Sequence, residues 1–198
     1  MSLIEIRIAG FGGQGIILMA NIIGKAAALF GGGYATMTQN YGPEARGGAS
    51  SAQLLLSDEP ILYPYVTHPD ILVVMSQEAY TRFAPEIRPG GVLLIEEDLV
   101  RVDRLPVFAR VHGIPATRLA EELGRKIVLN VVMIGFLASV AGLLTPEAFR
   151  KAIADSVPPA HRDLNLAAFE KGYEFGREEV ARRLTPSEVP EPSHQEVE

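Results

Sequence analysis

Leu3–Gln39 reads LIEIRIAGFGGQGIILMANIIGKAAALFGGGYATMTQ, and its changes of character decide the fold. Leu3–Ala9 alternates apolar and polar residues and ends at glycine, the pattern of a half-buried strand. Gly10, Phe11, Gly12, Gly13, Gln14 and Gly15 form a glycine-rich turn. Ile16–Phe30 is then apolar along a helical length and stops at Gly31, Gly32 and Gly33. Tyr34–Gln39 is a second short strand. Strand, turn, helix, strand is a βαβ unit, for which two parallel strands and a right-handed crossover are expected.

Outward from this unit, Ala52–Leu56, Ile71–Ser76 and Gly91–Glu96 are short apolar runs bounded by turn residues, and Val107–Val111 reads as one more strand. Gln77–Phe83 reads as a short helix. After Pro115, Ala116–Gly124, Ile127–Leu144, Pro146–Ser156 and Asn165–Leu184 all read as helices. The sum is an α/β, Rossmann-like fold: a mostly parallel sheet flanked by helices, with a helical carboxy-terminal part. Ile127–Leu144 is apolar all round, and a helix of that kind on the surface of one domain is expected to need a subunit interface to cover it. Asn130 within it and the helix start at Thr145, Pro146 and Glu147 favour a buried helix over a membrane span.

With 198 residues and 47% hydrophobic content, the chain can bury the core of a single domain, placed at residues 1–184. Residues 185–198 hold three prolines and four acids but no lysine or arginine, and are expected to be a disordered tail. The net charge of −6 carries neither the basic footprint of a nucleic-acid binder nor that of a polybasic membrane protein. There is no cysteine, which removes disulfides, thiolate zinc sites, cysteine-ligated iron–sulfur clusters and cysteine nucleophiles from this chain. MSLIEIRIAG, with Glu5 and Arg7 inside its apolar run, lacks the grammar of a signal peptide, so the expected compartment is the cytoplasm.

Two stretches bear on chemistry. Gly10–Gly15 has G-x-G-x-x-G spacing between a strand and a helix, where glycines permit close backbone approach and the helix amino terminus offers N–H groups to a diphosphate. Nicotinamide dinucleotides further demand an acid about twenty residues on, yet Gly31–Tyr41 contains none, which disfavours NAD. The competing reading is that the glycines merely let the helix sit close to the strand. Thr36–Ser51, TMTQNYGPEARGGASS, reads as a polar loop at the carboxyl edge of the sheet, next to the glycine turn. Arg46 in it suits a phosphate or carboxylate, and Gly47 and Gly48 allow close approach; an Arg46–Glu44 surface pair is the plain alternative. His68, His112, His161 and His194 lack metal-type spacing and read as satisfied loop residues, while Glu96, Glu97 and Asp98 read as a solvated turn. Tyr63, Pro64 and Tyr65 read as an edge or interface element.

Arg7–Gly15 (RIAGFGGQG), Thr38–Gly48 (TQNYGPEARGG) and Asp70–Gln77 (DILVVMSQ), with Asn130, resemble the gamma subunits of 2-oxoacid:ferredoxin oxidoreductases over roughly Leu3–Leu184. The form of the first two motifs is most similar to the 2-oxoglutarate-specific branch. The resemblance implies a holoenzyme that converts 2-oxoglutarate to succinyl-CoA and CO2 with ferredoxin as acceptor, reversibly with a strong reductant. It implies alpha, beta and delta partner subunits, which carry thiamine diphosphate and [4Fe–4S] clusters, and a gamma subunit engaged in coenzyme A binding and assembly. Gly10, Gly12, Gly13, Gln14, Gly15, Tyr41, Glu44, Arg46, Gly47 and Gly48 are then the candidate cofactor-binding residues, and no catalytic or metal-ligating residue is expected here. Three alternatives stay open: the same role with pyruvate or another 2-oxoacid, a stand-alone nucleotide-binding oxidoreductase, and a purely structural subunit.

Overall fold

A computed structural model describes residues 3–41, 49–104 and 108–184. Along the chain lie β1 (Ile4–Phe11), α1 (Ile16–Lys25), β2 (Tyr34–Tyr41), β3 (Ala49–Ser57), β4 (Ile71–Val74), α2 (Gln77–Phe83), β5 (Val92–Glu96), β6 (Arg110–Ile114), α3 (Ala116–Glu122), α4 (Leu129–Ala141), α5 (Pro146–Ser156) and α6 (Arg162–Leu184). The apolar run after the glycine turn does extend to Phe30, but α1 passes into a π-helical turn over Ala26–Phe30.

The six strands form one mixed sheet in the order β2-β3-β1-β4-β5-β6. β1, β4, β5 and β6 are mutually parallel, whereas β3 pairs antiparallel with both β1 and β2. The expected βαβ unit is therefore interrupted. β2 runs in the same direction as β1, but β3 inserts between them, with Ile8 opposite Ala52 and Ala52 opposite Gln39. β2 and β3 are consecutive in the chain and antiparallel neighbours in the sheet, a pairing that needs no crossover helix between them. The polar stretch from Thr36 to Ser51 is corrected in the same way: Thr36–Tyr41 is strand, and so is Ala49–Ser51. Their polarity is the exposed half of strand alternation, as on an antiparallel sheet with one wet face. The last strand, expected over Val107–Val111, is Arg110–Ile114, and Val107 lies outside the described residues. Pairing with β5 sets it, with Glu96 opposite Ile114, and it buries Ile114 and His112 rather than following the local apolar run.

Two apolar clusters lie on the two faces of the sheet. The larger joins Ile6, Ile8, Leu54 and Leu56 to α1, α4, α5 and α6; the smaller joins Ala9, Leu72, Val74 and Leu93 to α2. α4 is buried from Leu129 to Ala138, and its cover comes from the chain itself, which overturns the expectation of a subunit interface there. The device is close approach to α6. A Cβ added at Gly172 would stand 1.9 Å from the Val132 carbonyl oxygen, and one at Gly135 would stand 2.1 Å from that of Phe169. On the α5 side, Phe149 of α5 stacks on Phe169 of α6, and Phe169 on Tyr173 one turn further along α6, with ring centroids 5.9 and 5.8 Å apart. Among the described residues, no helix is long and apolar enough to cross a membrane.

Candidate functional site: the glycine turn and the adjoining cleft

β1 and β4 are parallel neighbours whose following helices take opposite faces, α1 on the side of the larger cluster and α2 on the side of the smaller. In open α/β sheets such a switch point leaves a crevice at the carboxyl ends of the strands, and ligands bind there. Here the glycine turn leaves β1, and Met75 and Ser76 leave β4, at that edge.

Gln14 bridges the crevice. Its Oε1 accepts from the Phe11 N–H at 2.6 Å, and its Nε2 donates to the Met75 carbonyl at 2.7 Å. Those are the backbone groups left over where the two strands part. Gly10 has to be glycine for this to happen, because a Cβ there would fall 2.3 Å from Gln14 Oε1 and 2.9 Å from the Met75 Cβ. Gly15, at φ 73°, ends the turn as the N-cap of α1, and a Cβ on it would meet the buried Asn130 amide at 2.5 Å. Gly10 and Gly15 thus serve the packing of the turn. Gly12 and Gly13 differ: both are exposed, and a Cβ at Gly13 would meet nothing within 4 Å. The part of the turn open to a ligand is Gly12–Gly13.

The other candidates stand as follows. The Tyr41 backbone is in register with Ser50, which also pairs with Gly10, so β2 does end at the edge that carries the glycine turn. Glu44, Arg46, Gly47 and Gly48 lie outside the described residues, as do His194 and residues 185–198.

Sequence reasoning missed a cleft of about 530 Å³ on the α2 side of the sheet, beside Gly10. Asn40, Ser51 and Ala9 form one row of its floor and Gln53 and Arg7 the next, in register across β2, β3 and β1. Arg82, Phe83, Glu78 and Glu86 stand opposite. Arg7 is 5% exposed; it pairs with Glu86, donates to the Val66 carbonyl at 3.1 Å, and lies 4.9 Å from the centre of the Phe83 ring. The Arg82 guanidinium is 5.0 Å from the same ring. The cleft exists because α2 covers β4 and β1 but a hairpin adds β3 and β2 beyond it. The signal was present in the alternation of Thr36, Thr38 and Asn40 and of Ser51 and Gln53, which reads as strand polarity only once the hairpin is known.

Two further expectations are corrected. Glu96 is not part of a solvated turn: it is fully buried at the end of β5, accepting from the N–H groups of Thr117 at 3.0 Å and Asp98 at 3.3 Å. Burial holds its carboxyl above the usual range, with these hydrogen bonds opposing. Glu97 and Asp98 pair with Arg118 at 3.1 and 2.7 Å. His112 lies on β6 rather than in a loop, 7% exposed, with Nδ1 3.6 Å from Glu179. Burial, aided by Arg183, lowers its pKa against the pull of Glu179.

Comparison with known proteins gives the same outline. Residues 5–175 match the family model described as pyruvate ferredoxin/flavodoxin oxidoreductase. The chain is 51% identical to 2-oxoglutarate synthase subunit KorC of Methanocaldococcus jannaschii, over 88% of this chain and 94% of that one. Among solved structures it is similar to the keto/oxoacid ferredoxin oxidoreductase gamma subunit of Geobacter sulfurreducens, with 37% identity, a TM-score of 0.78, and coverage of 88% of this chain and 96% of that one. It also shares its fold with part of the 2-oxoglutarate:ferredoxin oxidoreductase of Magnetococcus marinus, solved with 2-oxoglutarate, coenzyme A and succinyl-CoA bound. There the TM-score is 0.81 at 24% identity, over 90% of this chain and 32% of the other. The chain belongs to the pyruvate ferredoxin/flavodoxin oxidoreductase family.

Proposed function

We propose that this chain is the gamma subunit of a cytoplasmic 2-oxoglutarate:ferredoxin oxidoreductase, which converts 2-oxoglutarate and coenzyme A to succinyl-CoA and CO2 while two ferredoxins each take one electron. The observation that carries this reading is the 51% identity to a 2-oxoglutarate synthase subunit over nearly the whole length of both chains. Alpha, beta and delta subunits complete the enzyme. They hold the thiamine diphosphate, which supplies the decarboxylation chemistry, and the [4Fe–4S] clusters; a chain without cysteine has no thiolate to offer a cluster.

The role of this subunit is to hold coenzyme A and to join the assembly. The diphosphate of coenzyme A lies against Gly12 and Gly13, whose exposed backbone admits close approach at the amino terminus of α1. Gly10, Gln14 and Gly15 keep the turn in shape. Tyr41, Glu44, Arg46, Gly47 and Gly48 complete the proposed coenzyme A-binding set, with Arg46 as the anion-binding cation.

The test is dye-linked, coenzyme A-dependent oxidation of 2-oxoglutarate by the complex purified anaerobically through this chain, with pyruvate as the control substrate. Activity with 2-oxoglutarate, on partner chains that carry thiamine diphosphate and iron–sulfur absorbance, is the expected result. Preference for pyruvate overturns the substrate, and a solitary inactive chain overturns the subunit assignment.

A further inference from the structure

We infer that the outer edge of β2 is where an extended segment of the thiamine diphosphate-bearing partner subunit adds itself to the sheet, an inference that rests on the subunit reading above. The two edges of this sheet are built differently. β6 is five residues long, carries Arg110, His112 and Gly113, and packs against α6, whose Arg183 donates to the Val111 carbonyl at 2.7 Å. Short length, charge and a covering element are the usual guards of an edge strand. β2 has neither the shortness nor the charge: it runs eight residues as YATMTQNY, with no proline or glycine to break it. Half of its backbone amides and carbonyls face away from β3, and among the described residues no strand pairs with that side. Such an edge is a template for pairing between chains, and what satisfies it is an extended main chain.

The side chains of β2 say what kind of segment fits. Ala35 and Met37 pack against the larger apolar cluster, while Thr36, Thr38 and Asn40 alternate onto the other face. A strand that continues both faces is therefore apolar on the α1 side and polar on the α2 side. At the start of β2 the exposed residues are apolar: Tyr34 is 48% exposed, and Leu29 and Phe30, in the π-helical turn that packs on β2, are 63% and 38% exposed. Towards its end they are Gln39 and Asn40. This gradient disfavours a second copy of the chain. Two copies paired about a two-fold axis run antiparallel, and in the pairing centred on Met37 the apolar end of each meets the polar end of the other, Tyr34 on Asn40 and Ala35 on Gln39.

Position selects the partner. β2 ends level with Gly10 through Ser50, so a strand laid along it reaches the edge of the sheet that carries the glycine turn. Of the partner subunits, the one that has to approach this edge is the one holding thiamine diphosphate, because coenzyme A must reach the site of decarboxylation. The fold is also used as one part of a larger body, since it accounts for 32% of the Magnetococcus marinus chain.

Hydrogen exchange of the purified chain and of the anaerobically purified complex, both without coenzyme A, tests the pairing. The edge-directed amides of β2 are expected to exchange at least about tenfold more slowly in the complex, with those of β6 unchanged. Tyr34→p-benzoylphenylalanine, irradiated in the complex, is expected to link this chain to the subunit that holds thiamine diphosphate, identified by mass spectrometry of the joined peptide. Of Ala35→Pro and Thr36→Pro, one removes an amide that pairs with β3 and the other an amide at the free edge. The variant that leaves the thermal melt of the purified chain unchanged is the edge variant, and it is expected to lower recovery of the partner at least about tenfold. No slowing at β2, equal slowing at β6, or full recovery with the edge variant overturns the inference and, with coenzyme A-dependent oxidation of 2-oxoglutarate intact, leaves the proposed function standing. A link to a second copy, or to a subunit without thiamine diphosphate, overturns it as well. A complex that shows the slowing and the link but oxidises pyruvate rather than 2-oxoglutarate supports the inference and overturns the proposed substrate instead.

Discussion

Gln14 shows how one side chain can make a ligand-binding pattern serve the fold. Between Gly13 and Gly15 it reads as a spacer in a phosphate loop, yet its amide is committed to the Phe11 N–H and the Met75 carbonyl across the crevice. Gln14→Ala leaves both backbone groups to water or to nothing, and the expected cost is about 1–2 kcal/mol of stability, measured by urea denaturation of the purified chain. A cost near zero would mean that the bridge does not hold the strand ends. The spacing of the glycines was legible in the sequence, but their division of labour was not. Gly10 and Gly15 are fixed by Gln14 and Asn130, which lie 4 and 115 positions away, and only the second of these distances is tertiary. Buried Glu96 and His112 teach the same point: a local pattern of charged residues says nothing about the helices that later cover them.

Among the elements, the helices were the most readable, because capping residues and periodicity are local properties. Ser76 caps α2 by accepting from the Ala79 N–H at 3.2 Å, and Thr145 caps α5 by accepting from the Ala148 N–H at 3.3 Å, where the sequence places both starts. The partners of elements are not local. α4 reads as a helix in need of cover, while the glycines that let α6 cover it look like weaknesses in a polar helix. At Gly172 the added methyl would collide with the backbone of α4, which has no side-chain end to yield. Gly172→Ala is therefore expected to destabilise the chain by about 1–3 kcal/mol despite the gain in helix propensity. Gly24→Ala in α1 is the contrast: its Cβ would meet the end of the Leu54 side chain at 3.3 Å and the Ala35 Cβ at an ordinary 3.8 Å, and propensity is expected to leave stability unchanged or raised by up to about 1 kcal/mol. Thermal melts of the two variants beside the parent chain separate close approach from propensity, and equal shifts would refute the role of the α4–α6 seam.

For the molecule as a whole, the insertion of β3 decides what the ligand edge can bind. In a nicotinamide dinucleotide fold a parallel strand lies beside β1 and ends in the ribose-binding carboxylate. Here the neighbour is antiparallel, and Ser50, at its beginning, stands opposite Gly10. Titration of NADH fluorescence with the purified chain is accordingly expected to show no saturable binding; saturable binding would revive the stand-alone oxidoreductase.

The sequence by itself determined the helices and the inner strands, the glycine turn, the absence of cysteine chemistry and the family, since each rests on residue identity and short-range spacing. Only the tertiary structure decided that β3 separates β1 from β2, that α6 rather than a partner buries α4, and that a polar cleft opens beside Gly10. Strand order and helix contact are choices among long-range pairings of nearly equal local merit. The register of the whole sheet and the fit of backbone against backbone settle them, and neither is written in any one segment.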